Sequence, residues 1–196
     1  MDYSLGWDYL SRDWGETLKQ SLFYFIINFL PVIGSLIGTG WMLRIIRQGI
    51  SKKKGVPEVF KNVGDELIEG LKYTALVIIW TLPLIIITLL YIFTPSVTYS
   101  NQYIIILSII FIILIVAYLL LLPLQTCLYA KSRSMGDFFK LRRVFKILSK
   151  NLGSYLVLLI VSFAYMILGF IPVIGSGMSL LAVNKLLGSW IAEKSK

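Results

Sequence analysis

An all-α integral membrane helical bundle is the fold class this sequence predicts, and three observations predict it. Residues 73–130 contain no Asp, Glu, Lys, Arg or His and consist largely of Ile, Leu, Val, Phe and Tyr. The whole chain is 57% hydrophobic with a mean hydropathy of +0.80, which a soluble domain of this length could not carry without exposing large apolar patches. An internal repeat sets Phe29-Leu-Pro-Val-Ile-Gly-Ser35 against Phe170-Ile-Pro-Val-Ile-Gly-Ser176, identical at six of seven positions. Together they predict a central transmembrane hairpin flanked by two duplicated Pro-Val-Ile-Gly-Ser helical hairpins, with interfacial amphipathic helices, in one membrane domain over residues 1–196.

The first element expected is an interfacial helix over 1–19. Tyr3, Trp7, Leu10, Trp14 and Leu18 recur every three or four residues, while Asp8, Arg12, Asp13 and Glu16 take other faces. Its two tryptophans suit the headgroup zone. No small-residue cleavage site follows, so a removable signal peptide is not expected.

Hairpin unit 1 occupies 20–50, and residues 20–43 are uncharged. Proline removes a backbone donor, glycine admits positive φ, and serine can cap a new helix, so Pro31, Gly34 and Ser35 turn or kink the chain. Pro172, Gly175 and Ser176 do the same in unit 2, over 152–192. If both turn, six apolar segments leave every Lys and Arg on one side; if both kink, four spans put Arg12, Lys19, Lys185, Lys194 and Lys196 on the other. The positive-inside rule prefers the turning version, with both termini cytoplasmic. From Lys19 to Pro31 a helix rises only ~18 Å, so the first hairpin penetrates partway. Gly34 with Gly38, and Gly175 with Ser179, supply small residues for close packing.

Residues 51–70 read as a cytoplasmic amphipathic segment, with Val59, Phe60, Val63 and Leu67 on one face of a helix over 57–70. The central hairpin over 71–130 comprises helices near 71–93 and 103–130, joined by a polar, uncharged turn at 94–102 that includes Ser96. Residues 131–151 form a second, basic interfacial helix. Phe138, Leu141, Phe145 and Leu148 share one face, and Arg142, Arg143, Lys146 and Lys150 lie elsewhere, facing lipid headgroups.

The order Trp14, Pro31-Val-Ile-Gly34, Gly40-Trp-Met-Leu-Arg-Ile-Ile-Arg47, Val56-Pro-Glu-Val-Phe60 and Gly70-Leu-Lys72 resembles an uncharacterised, largely archaeal membrane family, the domain of unknown function DUF4013. The resemblance spans most of the chain, including the late Pro-Val-Ile-Gly element. It implies a multi-pass protein in a prokaryotic cell membrane and carries over no activity, ligand or catalytic residue.

The chemistry is sparse. The chain has no histidine, which removes imidazole acid–base catalysis and imidazole metal ligation. Cys127 is the only cysteine, so it reads as a small apolar residue of a membrane helix, with palmitoylation as the alternative. No hydrolase, zincin or nucleotide-loop motif occurs. Glu58, Asp65, Glu66 and Glu69 read as a solvated face beside Lys61 and Lys72 rather than as a metal site. No catalytic residue, cofactor or metal is expected, and the chain is read as not an enzyme. The net charge of +9 flanks apolar spans, which points to anionic headgroups rather than nucleic acid. The expected role is that of an interaction, organising or accessory subunit working through lipids, a membrane-protein partner or a homo-oligomer. The alternative is a channel or transporter for a small solute, such as an anion held at the two broken-helix tips.

Overall fold

In hydrocarbon, backbone N–H and C=O groups must bond within their own segment, which leaves apolar runs of this length one regular option, the helix. The structure, a computed structural model, describes residues 3–53, 55–59, 61–93 and 101–195. The expected turn as far as residue 100, with Ser96, lies outside the described residues, as do Lys54, Phe60 and Lys196. The described helices are α1 (Leu5–Ser11), α2 (Trp14–Ile27), α3 (Pro31–Ile50), α4 (Val63–Phe93), α5 (Asn101–Ser132), α6 (Met135–Phe138), α7 (Leu141–Met166) and α8 (Gly175–Lys194), with a 3-10 turn at Ile167–Phe170. Among them α4, α5 from Ile104, and Leu141–Phe170 are long and apolar enough to cross a membrane.

Three boundaries differ from the expected ones, each for a local reason. The 1–19 segment is two helices, because Asp13 leaves the helical region and accepts a hydrogen bond from the Glu16 N–H at 3.0 Å, so a new helix starts at Trp14. Thr17 donates to the Leu10 carbonyl at 3.0 Å and ties α1 to α2. Leu10 and Tyr9 are buried, so α1 is part of the bundle, while Trp7 and Trp14 stay exposed and meet edge to face at 5.7 Å. The helix expected over 57–70 is not separate: its last eight residues are the opening turns of α4, and Pro57 and Val59 instead plug the bundle. Trp41 Nε1 donates to the Pro57 carbonyl at 2.9 Å, and the Val59 N–H donates to Gln20 Oε1 at 2.6 Å. The basic segment 131–151 is divided among the end of α5, α6 and the start of α7, which continues to Met166 through a bend at Asn151 (φ −131°, ψ 22°). The Asn151 side chain donates to the Ile147 carbonyl at 3.0 Å, competing with the backbone ladder at that point.

The chain reverses at both Pro-Val-Ile-Gly-Ser segments. A Cβ on Gly34 would lie 1.9 Å from the Ile27 carbonyl oxygen, and one on Gly175 would lie 2.0 Å from that of Leu168, so only glycine lets each returning helix sit on the end of the one before it. Farther in, Gly38 faces the Tyr24 ring, and Tyr24 stacks on Trp41 with centroids 5.4 Å apart. The second hairpin has its own ring contact, between Tyr155 and Trp190 at 5.3 Å, at positions that do not correspond to Tyr24 and Trp41 in the repeat. Helix α3 begins at Pro31, its first residue, whereas α8 begins only at Gly175, and Val173 before it has φ 72°.

Helix α8 is the packing centre. It touches α1, α2, α3, α5 and α7 and is buried over most of its length. Helices α3 and α8 run in the same sense: Trp41 and Ile45 share a core with Leu181 and Ala182, and farther along Gly49 and Gly188 meet backbone to backbone. Helix α4 runs past α3 in the opposite sense, since a Cβ on Gly40 would lie 2.1 Å from the Glu66 carbonyl and one on Gly70 would lie 1.9 Å from that of Leu36. The close approaches between helices thus belong to Gly40, Gly49, Gly70, Gly188 and, against Ser21 of α2, Gly177, while Gly34, Gly38 and Gly175 close their own hairpins.

Candidate functional site

Charged side chains collect where α3, α4 and α5 come together. Arg44 and Arg47 leave the apolar face of α3 one turn apart, and Glu66 and Glu69 do the same on α4. Arg44 Nη2 lies 2.7 Å from Glu66 Oε1, and Arg47 Nη2 lies 2.6 Å from Glu69 Oε2. Arg133, just past α5, joins the second pair at 3.5 Å from Glu69 Oε1, and Arg44 also donates to the Glu58 carbonyl. Glu66 is 3% exposed. Of the four acids expected on a solvated face, Glu58 and Asp65 are exposed, but Glu66 and Glu69 are drawn in, because a side chain that leaves water inside a bundle needs a cation beside it. A signal was available: both charge pairs have a spacing of three residues, which lines each up on one helix face.

Beside this network lies a cavity of ≈ 460 Å³ lined by Arg44, Arg47, Gln48, Lys53, Lys131 and Arg133, with Ile50 and Ser51. No carboxylate is among the lining residues. Lys131 donates to Ser195 Oγ at 2.9 Å. Ser195 also lines a second basic recess, of ≈ 190 Å³, with Arg143, Lys146, Ile147, Lys150 and Lys194. Arg142, Arg143, Lys146 and Lys150 are all exposed, but Phe138 is buried and stands edge-on to Tyr73 at 6.1 Å. The apolar half of this face therefore lacks Phe138, which the core has taken, and keeps the exposed Phe145.

A third cluster surrounds Lys185, between α1 and α8. Its ammonium donates to the Lys53 carbonyl at 2.6 Å and stands 4.6 Å from the centre of the Tyr9 ring. Burial, with Arg12 nearby, lowers its pKa from the ordinary lysine value to about 8, and burial also raises that of Tyr9. A cavity of ≈ 240 Å³ borders it, lined also by Asp8, Lys52, Ser189 and Glu193.

The six helix-break residues divide by role. Gly34 and Gly175 are buried in the hairpin turns, while Pro31, Ser35, Pro172 and Ser176 are exposed. Ser35 does not cap α3; its hydroxyl donates to the Val32 carbonyl at 2.8 Å. Ile174, without a side-chain bond, holds the cap position of α8 in place of Ser176. Phe29 and Phe170 at the two tips are 72% and 86% exposed, an apolar presentation suited to lipid. Cys127 is 1% exposed, so packing is its role in this structure.

Residues 23–178 match the family model described as a protein of unknown function, DUF4013. No curated protein and no solved structure matches the chain.

Proposed function

We propose, from the premise that this chain belongs to the DUF4013 family, that it is a non-enzymatic, multi-pass cell-membrane protein that organises lipids or partner proteins through a basic cytoplasmic face. The observation that carries this reading is the gathering of cations at one end of the apolar helices, around two neighbouring recesses linked through Lys131 and Ser195. Basic side chains at the end of an uncharged span meet the anionic surface of the cytoplasmic leaflet, and each contributes on the order of 1 kcal/mol there. The two hairpins fit an origin by duplication of one unit, with tips that enter the outer part of the bilayer and both termini inside. Phe145, with Trp7 and Trp14, provides the apolar contribution at headgroup depth.

The test uses the purified full chain in nanodiscs of mixed phosphatidylglycerol and phosphatidylcholine. Enrichment of the anionic lipid around the wild type should fall severalfold in R142Q/R143Q/K146Q/K150Q and with rising salt. Equal enrichment in the variant at every ionic strength would remove the electrostatic part of this reading. Selective flux of sulfate, phosphate or halide into vesicles, lost in the folded S35L/S176L variant, would replace it with transport.

A further inference from the structure

Arg44 is the first charge after the uncharged run 20–43, and Lys131 is the first after 73–130. Helices leaving hydrocarbon at those points carry their next charges to the depth of the headgroups, where phosphate is the abundant anion. Helices α3 and α5 pack together, and their ends bring Arg44, Arg47, Lys53, Lys131 and Arg133 to the wall of the ≈ 460 Å³ cavity. A volume in the range of about 300–1,000 Å³ is that of a small-molecule site.

Two carboxylates stand behind five cations. Glu66 and Glu69 hold the guanidinium groups of Arg44, Arg47 and Arg133 at 2.7, 2.6 and 3.5 Å, which fixes the arginines at the cavity wall. The C-terminal ends of α3 and α5, worth about half a negative charge each, offset part of the remaining excess. Among the described residues, Lys53 and Lys131 have no carboxylate partner. The backbone holds one cation here at a cost. Arg133 has φ 57° and its N–H bonds to the Tyr129 carbonyl at 2.8 Å, the position after a helix where glycine is the usual residue. Arg133 thus caps α5 with its backbone N–H while its guanidinium group faces Glu69 at the cavity wall.

We propose that this cavity is a saturable binding site for a phosphate-bearing anion, supplied either by an anionic phospholipid headgroup or by free phosphate. Arginines fixed by carboxylates present forked donors suited to phosphate oxygens, and the two lysines add mobile point charges. The proposal rests on the preceding reading only for the depth of the cavity in the membrane. It differs in requiring one discrete site on α3 and α5 instead of a diffuse surface on α7.

The full chain in non-ionic detergent is titrated by calorimetry with short-chain phosphatidylglycerol and, separately, with inorganic phosphate. One-to-one saturable binding of at least one probe is expected. K53Q/K131Q should weaken it about thirtyfold, roughly fivefold per charge removed, while circular dichroism and thermal unfolding stay unchanged, since neither lysine belongs to the ion-paired network. R142Q/R143Q/K146Q/K150Q should leave this affinity within about twofold of wild type, which keeps its failure distinct from failure of the surface reading. Binding of the lipid alone assigns the site to a headgroup, and equal binding of inorganic phosphate assigns it to a soluble anion. Absence of saturable binding by both probes, or binding indifferent to K53Q/K131Q, overturns the proposal.

Discussion

Gly40 shows how little room a single position has. A Cβ there would stand 2.1 Å from the Glu66 carbonyl, so Gly40→Val must push α4 away from α3 and with it the carboxylate that holds Arg44. Loss of several kcal/mol is expected, read as a lower unfolding temperature in detergent. Removing one member of the buried pair, as in Arg44→Leu, leaves Glu66 uncompensated and should cost about 3–5 kcal/mol, whereas Arg44→Leu with Glu66→Leu should recover much of that. Lys185 gives a pH test. Its folded pKa of about 8 lies below the ordinary 10.5, so above pH 8 the unfolded chain holds more protons at this residue. Its contribution to stability is flat below about pH 8 and rises from there toward pH 10, before Tyr9 and its raised pKa enter. Denaturant midpoints measured across that window should show the rise in wild type and lose it in Lys185→Met. These residues were only partly legible in the sequence. The arginines were visible as the charges that end an apolar run, but Glu66 and Glu69 looked solvated because Lys61, Asp65 and Lys72 around them read as a mixed-charge face, and the three-residue spacing shared with Arg44 and Arg47 was the one signal that they pair.

At the scale of elements, short signals decided boundaries that periodicity had smoothed over. The periodic apolar stripe from Tyr3 to Leu18 continues through Asp13, yet the Asp13 and Glu16 pair starts a new helix there. Asp13→Ala should cost about 1 kcal/mol, measured as a drop in unfolding free energy, because the orphan N–H of Glu16 loses its acceptor. The repeated Pro-Val-Ile-Gly-Ser motif was legible as a helix break, with turning preferred over kinking, but not the difference between its copies. Pro31 opens a helix in the first, whereas in the second the helix waits until Gly175 and Val173 is held at φ 72°. A β-branched side chain in that region is strained by roughly 1–2 kcal/mol, so Val173→Gly should raise stability despite the entropy glycine adds to the unfolded chain, while Val32→Gly, inside α3, should lower it. Thermal unfolding of the two variants side by side reads the difference in sign.

For the molecule as a whole, hydropathy pointed to the central hairpin, and packing points to α8. The reason is physical. In a membrane protein, strong apolarity marks surface presented to lipid, and the apolar windows of α4 and α5 are accordingly the less enclosed of the three membrane-length helices. Interior helices approach one another through small residues, and Gly177, Ala182 and Gly188 make α8 unremarkable on a hydropathy scale while leaving it buried. The helical class and the two long helices of the central hairpin could be read from composition and charge; the length of α7, which runs from the basic segment into the second hairpin, and the order of enclosure could not. Hydrogen exchange of the protein in nanodiscs should find α8 amides protected to the level of global unfolding, with α1 exchanging sooner, since α1 is short and rests on α8 from outside.

The position of α8 in chain order has a consequence for how the protein is made. Every helix it packs against leaves the ribosome earlier, so α1, α2, α3, α5 and α7 are made while the surfaces that will contain Trp41, Gly49 and Tyr155 are still open. Until α8 arrives, the growing chain is a set of helices awaiting a common axle, and those faces need another cover. Chains truncated within residues 171–174 should be membrane-integrated yet readily cut by protease on their segments outside the bilayer, and chains that include Trp190 and Ile191 should become resistant in a single step.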